Sequence, residues 1–240
     1  SGKNTIKNGG GFLYRYSGGQ IKEISYYKDS VKNGESISYF GENQIKSKGN
    51  YLNNEKDGSW ISNHENGNLK SKISYKNGER TGEAKGFYSD EKPKTTGYYL
   101  NNKKDGHWVF TSPSGKVYMK GGFVQDLQDN LWTYYYENST QKDSEGFFNK
   151  GKKEGKWNFW YETSELWRKG NYRNGVKDSI WVTWFENGNK LQEGNYNSGL
   201  EEGEWWAWYQ KGVNKDHGFY KEGKMSGVWE GWYDNQKENY

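Results

Sequence analysis

Short aromatic runs alternate along this chain with polar turns. From Gly146 the run Gly-Phe-Phe meets the polar segment Asn149 to Gly155. A second run, Lys156 to Glu162, carries Trp157, Phe159, Trp160 and Tyr161 and gives way to Thr-Ser-Glu. Brief stretches rich in Trp, Tyr and Phe, bounded by Gly and Asn clusters, predict strands joined by hairpin turns. No stretch carries apolar residues at helical spacing, and Ala and Leu are few, so helix is not expected.

The alternation has a fixed period. Trp160, Trp184, Trp208 and Trp232 stand 24 residues apart, and so do Trp181, Trp205 and Trp229 beside them. Such an interval predicts a stacked repeat protein, in which each unit buries its face against its neighbours. The frame opens at Ser1, Ser25, Gly49, Ile73, Gly97, Gly121, Gly146, Gly170, Gly194 and Gly218, so one continuous array is expected over residues 1–240. Position 3 is aromatic, as in Tyr51, Phe148, Tyr172 and Tyr196. Position 10 is usually glycine, which suits a backbone site of positive φ, although Asn130 and Ser179 replace it in two copies. Position 12 is Trp60, Trp108, Trp132, Trp157, Trp181, Trp205 and Trp229, with Ala84 where copy four should have Trp. The copy from Gly121 is one residue longer, near Asn138 to Glu145.

Each repeat therefore predicts one hairpin, and the series predicts an all-β, open antiparallel meander. At roughly 4.8 Å per strand an array of this kind advances about 10 Å per repeat. Side chains on a strand alternate faces. Positions 12, 14 and 16 should share an apolar interior face, as with Trp157, Phe159 and Tyr161. Position 15 should point the other way. Tyr135, Trp160, Trp184, Trp208 and Trp232 would then form a second aromatic row, stacking on one another and on side chains of the adjacent strand, or docking a partner. The N-terminal copies place Arg15, Asn63 and Thr111 there, with Tyr39 and Phe87 between them.

The pattern resembles the MORN-repeat variant, a bacterial branch of the membrane-occupation-and-recognition-nexus repeats. Its motif is approximately Y-x-x-G-x-x-x-G-x-W-x-x-[YW]-[YF]-x-x-G. Tyr172, Gly175, Trp181, Trp184, Phe185 and Gly188 match it, as do Tyr196, Gly199, Gly203, Trp205, Trp208 and Tyr209. The resemblance spans essentially the whole chain. It implies an elongated, curved single sheet of about ten hairpins, an open solenoid. Members of this family are scaffolds, oligomerisation modules or appendages to other domains, and some bacterial members are labelled antitoxin components.

Composition narrows the choice of function. Hydrophobic residues make up only 30%, and aromatics alone 18%, enough to line one face of a thin sheet but not a thick interior. Cysteine is absent, which rules out disulfides and cysteine metal sites and fits an exported protein of the periplasm, surface or medium. A cytoplasmic place would suit an antitoxin. The net charge is +4, and basic and acidic residues adjoin in the turns, as in Lys56-Asp57, Lys104-Asp105, Lys153-Glu154 and Lys177-Asp178. Such mixing supplies no positive stripe for nucleic acid or anionic lipid.

His64, His107 and His217 fall at different repeat positions, too far apart for one metal or catalytic site. The acids at position 9 (Asp57, Asp105, Asp129, Glu154, Asp178, Glu202) are expected in turn chemistry, since neighbours about 10 Å apart cannot share calcium. Those at position 17 (Glu65, Glu137, Glu162, Glu186, Asp234) lack the cleft that a carboxylate pair needs. No catalytic, cofactor or metal residues are expected. The expected function is a non-enzymatic scaffold that binds another protein or self-associates through sheet edges. An antitoxin or immunity-type inhibitor and a glycan-binding surface are the alternatives. Ser1 and Tyr240 both fall inside repeats, so an extended chain, end-to-end pairing or a partner over one edge is expected.

Overall fold

The computed structural model of the protein describes residues 9–41 and 43–235. The fold is all-β: nineteen strands make an open antiparallel sheet, with no helix among the described residues. The chain divides into two compact units, residues 1–116 with 123–126, and residues 117–122 with 127–240. Unit 1 contains β1 (Gly10–Ser17), β2 (Gln20–Lys28), β3 (Val31–Tyr39), β4 (Ile45–Leu52), β5 (Glu55–Asn63), β6 (Leu69–Lys76), β7 (Glu79–Phe87), β8 (Pro93–Leu100) and β9 (Lys103–Thr111). The strand β10 (Val117–Val124) gives its first six residues to unit 2. Unit 2 continues with β11 (Leu127–Tyr135), β12 (Lys142–Asn149), β13 (Lys152–Trp160), β14 (Leu166–Arg173), β15 (Val176–Trp184), β16 (Lys190–Asn197), β17 (Leu200–Trp208), β18 (Asn214–Lys221) and β19 (Lys224–Gly231). The first of the ten expected copies appears only as the single strand β1, because its opening residues 1–8 lie outside the described residues, as does the end at Tyr240.

Two kinds of turn join the strands. The inner turns hold two residues, both left-handed, such as Asn53 and Asn54 (φ 51° and 70°) and Asn174 and Gly175 (51° and 89°). This is the type I′ geometry whose twist matches the flanking strands, and Asn and Gly reach it at least cost. The outer loops are longer, except that the two-residue turn Gly18–Gly19 joins β1 to β2. In the loop from His64 the Gly67 amide donates to the His64 carbonyl at 3.0 Å and the His64 amide to the Asn68 carbonyl at 2.8 Å. The loop from Phe185 repeats both bonds, at 2.9 and 2.8 Å.

Position 10 lies in a β-bulge. Gly146 faces Trp157 across β12 and β13, while Phe147 faces Glu154, so Gly155 and Lys156 have no partners on β12. Gly155 takes φ 64° there, and the two copies without glycine take the same region, Asn130 at 61° and Ser179 at 59°.

The glycine at position 1 answers to a different constraint, close approach. A Cβ on Gly170 would lie 2.2 Å from Trp181 Cδ2, and one on Gly146 2.3 Å from Trp157 Cδ2. The indole lies flat on the glycine backbone. Its N–H then donates to the carbonyl of the next residue: Trp157 Nε1 to Phe147 at 3.0 Å, Trp181 to Asn171 at 3.0 Å, and in unit 1 Trp60 to Asn50 at 2.9 Å. Where the tryptophan is missing the glycine is missing too. Ile73 faces Ala84, and Ser25 faces Ser36 with their hydroxyls 2.7 Å apart.

These contacts build the aromatic face of each unit. In unit 2 Trp132, Trp157, Trp181 and Trp205 are buried, whereas Trp229 on β19 is half-buried. Trp157, Trp181, Trp205 and Trp229 pack edge-on against the position-3 ring of their own repeat, as in Tyr172–Trp181 at 5.1 Å and Tyr196–Trp205 at 5.2 Å. Trp132, Trp157, Trp181 and Trp205 also meet the ring of the following repeat, as in Trp157–Tyr172 at 6.0 Å. In unit 1 Trp60 and Trp108 are buried in the same way, with Tyr51 and Tyr99 as partners. A ring that removes about 150–250 Å² from water contributes roughly 4–6 kcal/mol before ordering entropy is counted.

Two expectations about this face need correcting. It is not uniformly apolar, because in unit 1 position 14 carries Ser38 and Ser62, bonded across the strands to Ser47 and Ser71 at 2.7 Å. Position 16 also lies beyond the strands in the repeats from β3 to β17, where the second strand of each hairpin ends at position 15. Its hydroxyl ties one repeat to the next: Tyr161 donates to the Trp184 carbonyl at 2.8 Å and Tyr209 to the Trp232 carbonyl at 2.9 Å.

Candidate functional site

The mixed charges of the turns separate once the strands form. Position 8 points over the aromatic face, and there its cation covers rings. In unit 1 Lys56 Nζ stands 4.3 Å from the Trp60 ring centre and Lys104 Nζ 5.1 Å from that of Trp108. In unit 2 Lys153 stands 4.1 Å from Trp157 and Lys177 4.4 Å from Tyr196. Burial beside the rings pushes the Lys56, Lys153 and Lys177 ammonium groups below the usual lysine range. The acid at position 9 instead accepts from the inner turn of the next repeat. Glu154 Oε2 takes the Asn174 amide at 2.8 Å and Glu202 Oε2 the Glu222 amide at 2.8 Å. The cancellation inferred from sequence neighbours therefore fails locally, because strand alternation sends the two side chains of each pair to opposite faces and different tasks.

On the second face of unit 2, Tyr135, Trp160, Trp184, Trp208 and Trp232 are all half-buried. Lysine ammonium groups meet four of these rings: Lys120 at Tyr135 (5.7 Å), Lys142 at Trp160 (5.6 Å), Lys169 at Trp184 (5.3 Å) and Lys190 at Trp208 (5.4 Å). The row thus packs on side chains of the adjacent strands and not ring on ring, because successive position-15 residues lie two strands apart. In unit 1 Tyr39, Asn63 and Phe87 are half-buried at this position, and the Asn63 amide donates to the Ile45 carbonyl at 3.2 Å.

A sharper cluster forms on β17 to β19, around a residue outside the predicted row. Trp206 stacks on Trp208 (6.3 Å, 19°) and on Trp232 (6.3 Å, 11°). His217, its direct partner on β18, lies over it at 3.8 Å and 18°. His217 Nε2 lies 2.9 Å from Glu204 Oε1, and its Nδ1 3.4 Å from Glu230 Oε2. The result is a set of near-parallel half-buried rings, rimmed by two exposed carboxylates. The sequence signal for it was Trp206 beside Trp208. Its join to His217 needed the register of β17 on β18, which shifts between Ala207 and Trp208.

The remaining candidates fall elsewhere. His64 Nε2 lies 3.1 Å from the Phe87 carbonyl, and His107 is exposed. Among the described residues no three His, Asp or Glu side chains gather as for a metal ion. The position-17 acids line the outer loops, where Thr163 donates to Glu186 at 2.8 Å and Lys211 pairs with Asp234 at 2.9 Å. No described helix is long and apolar enough to cross a membrane.

Four segments, residues 32–53, 56–77, 153–174 and 177–198, match the family model of the MORN repeat variant. Two lie in each unit, and each runs from the second strand of one hairpin through the outer loop to the inner turn of the next. No curated protein matches the chain.

Proposed function

We propose that this chain, which carries MORN-variant repeats, is a non-enzymatic scaffold that holds another protein on the second face of unit 2, at Trp206, Trp208 and Trp232. The observation that carries this reading is the stacked indole set on β17 to β19, half-buried on the face that bears no continuous aromatic packing. Large rings already held in place by neighbours lose little freedom on docking, and tryptophan is enriched among residues that dominate interface energies. Glu204 and Glu230 give the patch a polar rim, and Leu200 and Phe219 on the same strands are exposed. Such a rim around an apolar centre is the usual anatomy of a protein interface.

A photo-crosslinking residue at position 206, introduced in cells that make the protein, tests this. One defined polypeptide should be captured. A Trp208→Ala, Trp232→Ala double variant, folded by circular dichroism, should lower its affinity at least tenfold. Undiminished capture by that variant sinks the reading. Retention of an oligosaccharide by these tryptophans, without any protein, would replace it with a glycan-binding surface.

A further inference from the structure

The basic row over the aromatic face changes sign at one place. Position 8 holds Lys153 and Lys177 in two successive repeats of unit 2, each with its ammonium over a position-12 indole and a position-3 ring. The next repeat keeps both rings: Trp205 and Tyr220 stand 5.6 Å apart at 73°. Position 8 is there Glu201, however, and position 14, which is Phe159 two repeats earlier, shrinks to Ala207. A hollow of about 280 Å³ opens on the spot, with Glu201, Trp205, Ala207, Asp216, Tyr220 and Trp229 in its wall. Lys215 also borders it, but its ammonium pairs with Asp216 at 3.8 Å and lies 6.0 Å from the Tyr209 ring. Trp205 is 6% exposed, and its indole N–H has no hydrogen-bond partner, unlike the N–H groups of Trp157, Trp181 and Trp229.

The geometry points to a binding site for an alkylammonium group, presented as a lysine side chain of a partner polypeptide. The chain itself supplies the template. An ammonium on a four-carbon stem already occupies this place in the two preceding repeats, its stem on the rings and its charge over their faces. In the third repeat the rings remain, the internal cation is replaced by a carboxylate, and the space of one side chain is left. Glu201 would pair with the incoming charge that the aromatic faces attract. An anion is disfavoured by Glu201 and Asp216. Glu201 already accepts from the Tyr196 hydroxyl and lies in the field of Lys177, so the incoming ammonium would add a second, direct cation to that carboxylate, which a neutral apolar chain could not. Trp206 and Trp208 also border the hollow, but its charge and rings come from Glu201, Trp205 and Tyr220, so loss of lysine binding in Glu201→Lys with protein capture at position 206 intact separates the two readings.

The test is a titration of the whole chain, uniformly labelled with nitrogen-15, following the indole N–H signals of Trp205 and Trp229. The probe is Nα-acetyl-lysine methylamide, with the norleucine analogue as the uncharged control. Saturable shifts at millimolar lysine probe and none with norleucine are expected. Glu201→Gln should weaken binding about tenfold, the loss of one charge-assisted contact. Glu201→Lys should restore the row internally, abolish binding and raise the melting temperature. Ala207→Phe, which fills the hollow with the ring already found at position 14, should also abolish it. A Gly-Lys-Gly peptide should bind as well as the single residue. An equal response to norleucine, no response to either probe, or undiminished binding in Glu201→Lys overturns the proposal. Binding of n-butylammonium without binding of the peptide overturns its polypeptide part.

Discussion

Gly170 and Gly155 are both glycines of one hairpin, yet they are glycine for unrelated reasons, and substitution should separate them. Gly155 has φ 64° and nothing within 4 Å of the place a Cβ would take, so Gly155→Ala should cost only the left-handed conformation, about 1 kcal/mol. Gly170→Ala would drive a methyl to 2.2 Å from the Trp181 ring, and should cost about 3 kcal/mol or more. That larger cost should nearly vanish in a Trp181→Ala background, as the native Ile73–Ala84 pair implies. Urea denaturation of the single and double variants measures all three. The sequence showed position 10 clearly, since Asn130 and Ser179 are themselves substitutes tolerant of a turn. It also showed the weak openings at Ser25 and Ile73 and the missing tryptophan at Ala84. It did not show that these were one event, because residues 11 apart become partners only after the bulge adds two residues to one strand.

The hairpins are held at both ends by bonds that reach into the following repeat. At the inner turn, Glu154 takes the Asn174 amide; at the outer loop, Tyr161 takes up the Trp184 carbonyl, and Asn187 with Asn189 donates to the Gln210 carbonyl at 2.9 and 3.0 Å. Glu154→Ala should therefore loosen a turn twenty residues away. The Asn174 amide should exchange with deuterium roughly five- to tenfold faster, the equivalent of about 1 kcal/mol, with little change at the Gly199 amide one repeat further on. Equal acceleration at both amides would mean that the acid acts on the whole unit and not on its turn. Strand alternation made the two faces legible from sequence, and the period made the hairpins legible. Alternation also puts positions 8 and 12 on one face and position 9 on the other; what was not legible is the amide each position-9 acid takes, because it lies in the next repeat, twenty residues away.

Across the molecule, the aromatic faces tie folding to alkaline pH. Burial raises the phenol pKa values of Tyr75, Tyr134 and Tyr172, and with help from the Glu201 charge it pushes Tyr196 up to about 12. Below about pH 10 these phenols hold their protons folded or unfolded, and the stabilisation is whole. Between about pH 10 and 12 the unfolded chain releases them first, so stability should fall as pH rises. The lowered Lys56, Lys153 and Lys177 act with the opposite sign: their cost persists at neutral pH and fades as the pH nears about 10. Urea midpoints should thus rise gently towards about pH 10 and then drop, and Tyr196→Phe should lessen the drop. An unchanged drop in that variant would assign the transition to the other phenols. One feature has its reach in the gene. The outer-loop tyrosines and the position-9 acids reach forward, while Asn54, Asn102 and Asp126 of the inner turns reach back to the Lys32, Arg80 and Lys104 amides, so neighbouring repeats are hooked together from both sides. A tandem duplication of one full period, cut at any phase, would present each hook with its eye. A duplication of half a period would strand them. The copy from Gly121 indicates where the phase can slip: its extra residue sits in the outer loop, and Tyr136 still reaches the Trp160 carbonyl at 2.5 Å. Lengthening by recombination is thereby confined to whole repeats, with single-residue drift admitted at the outer loop.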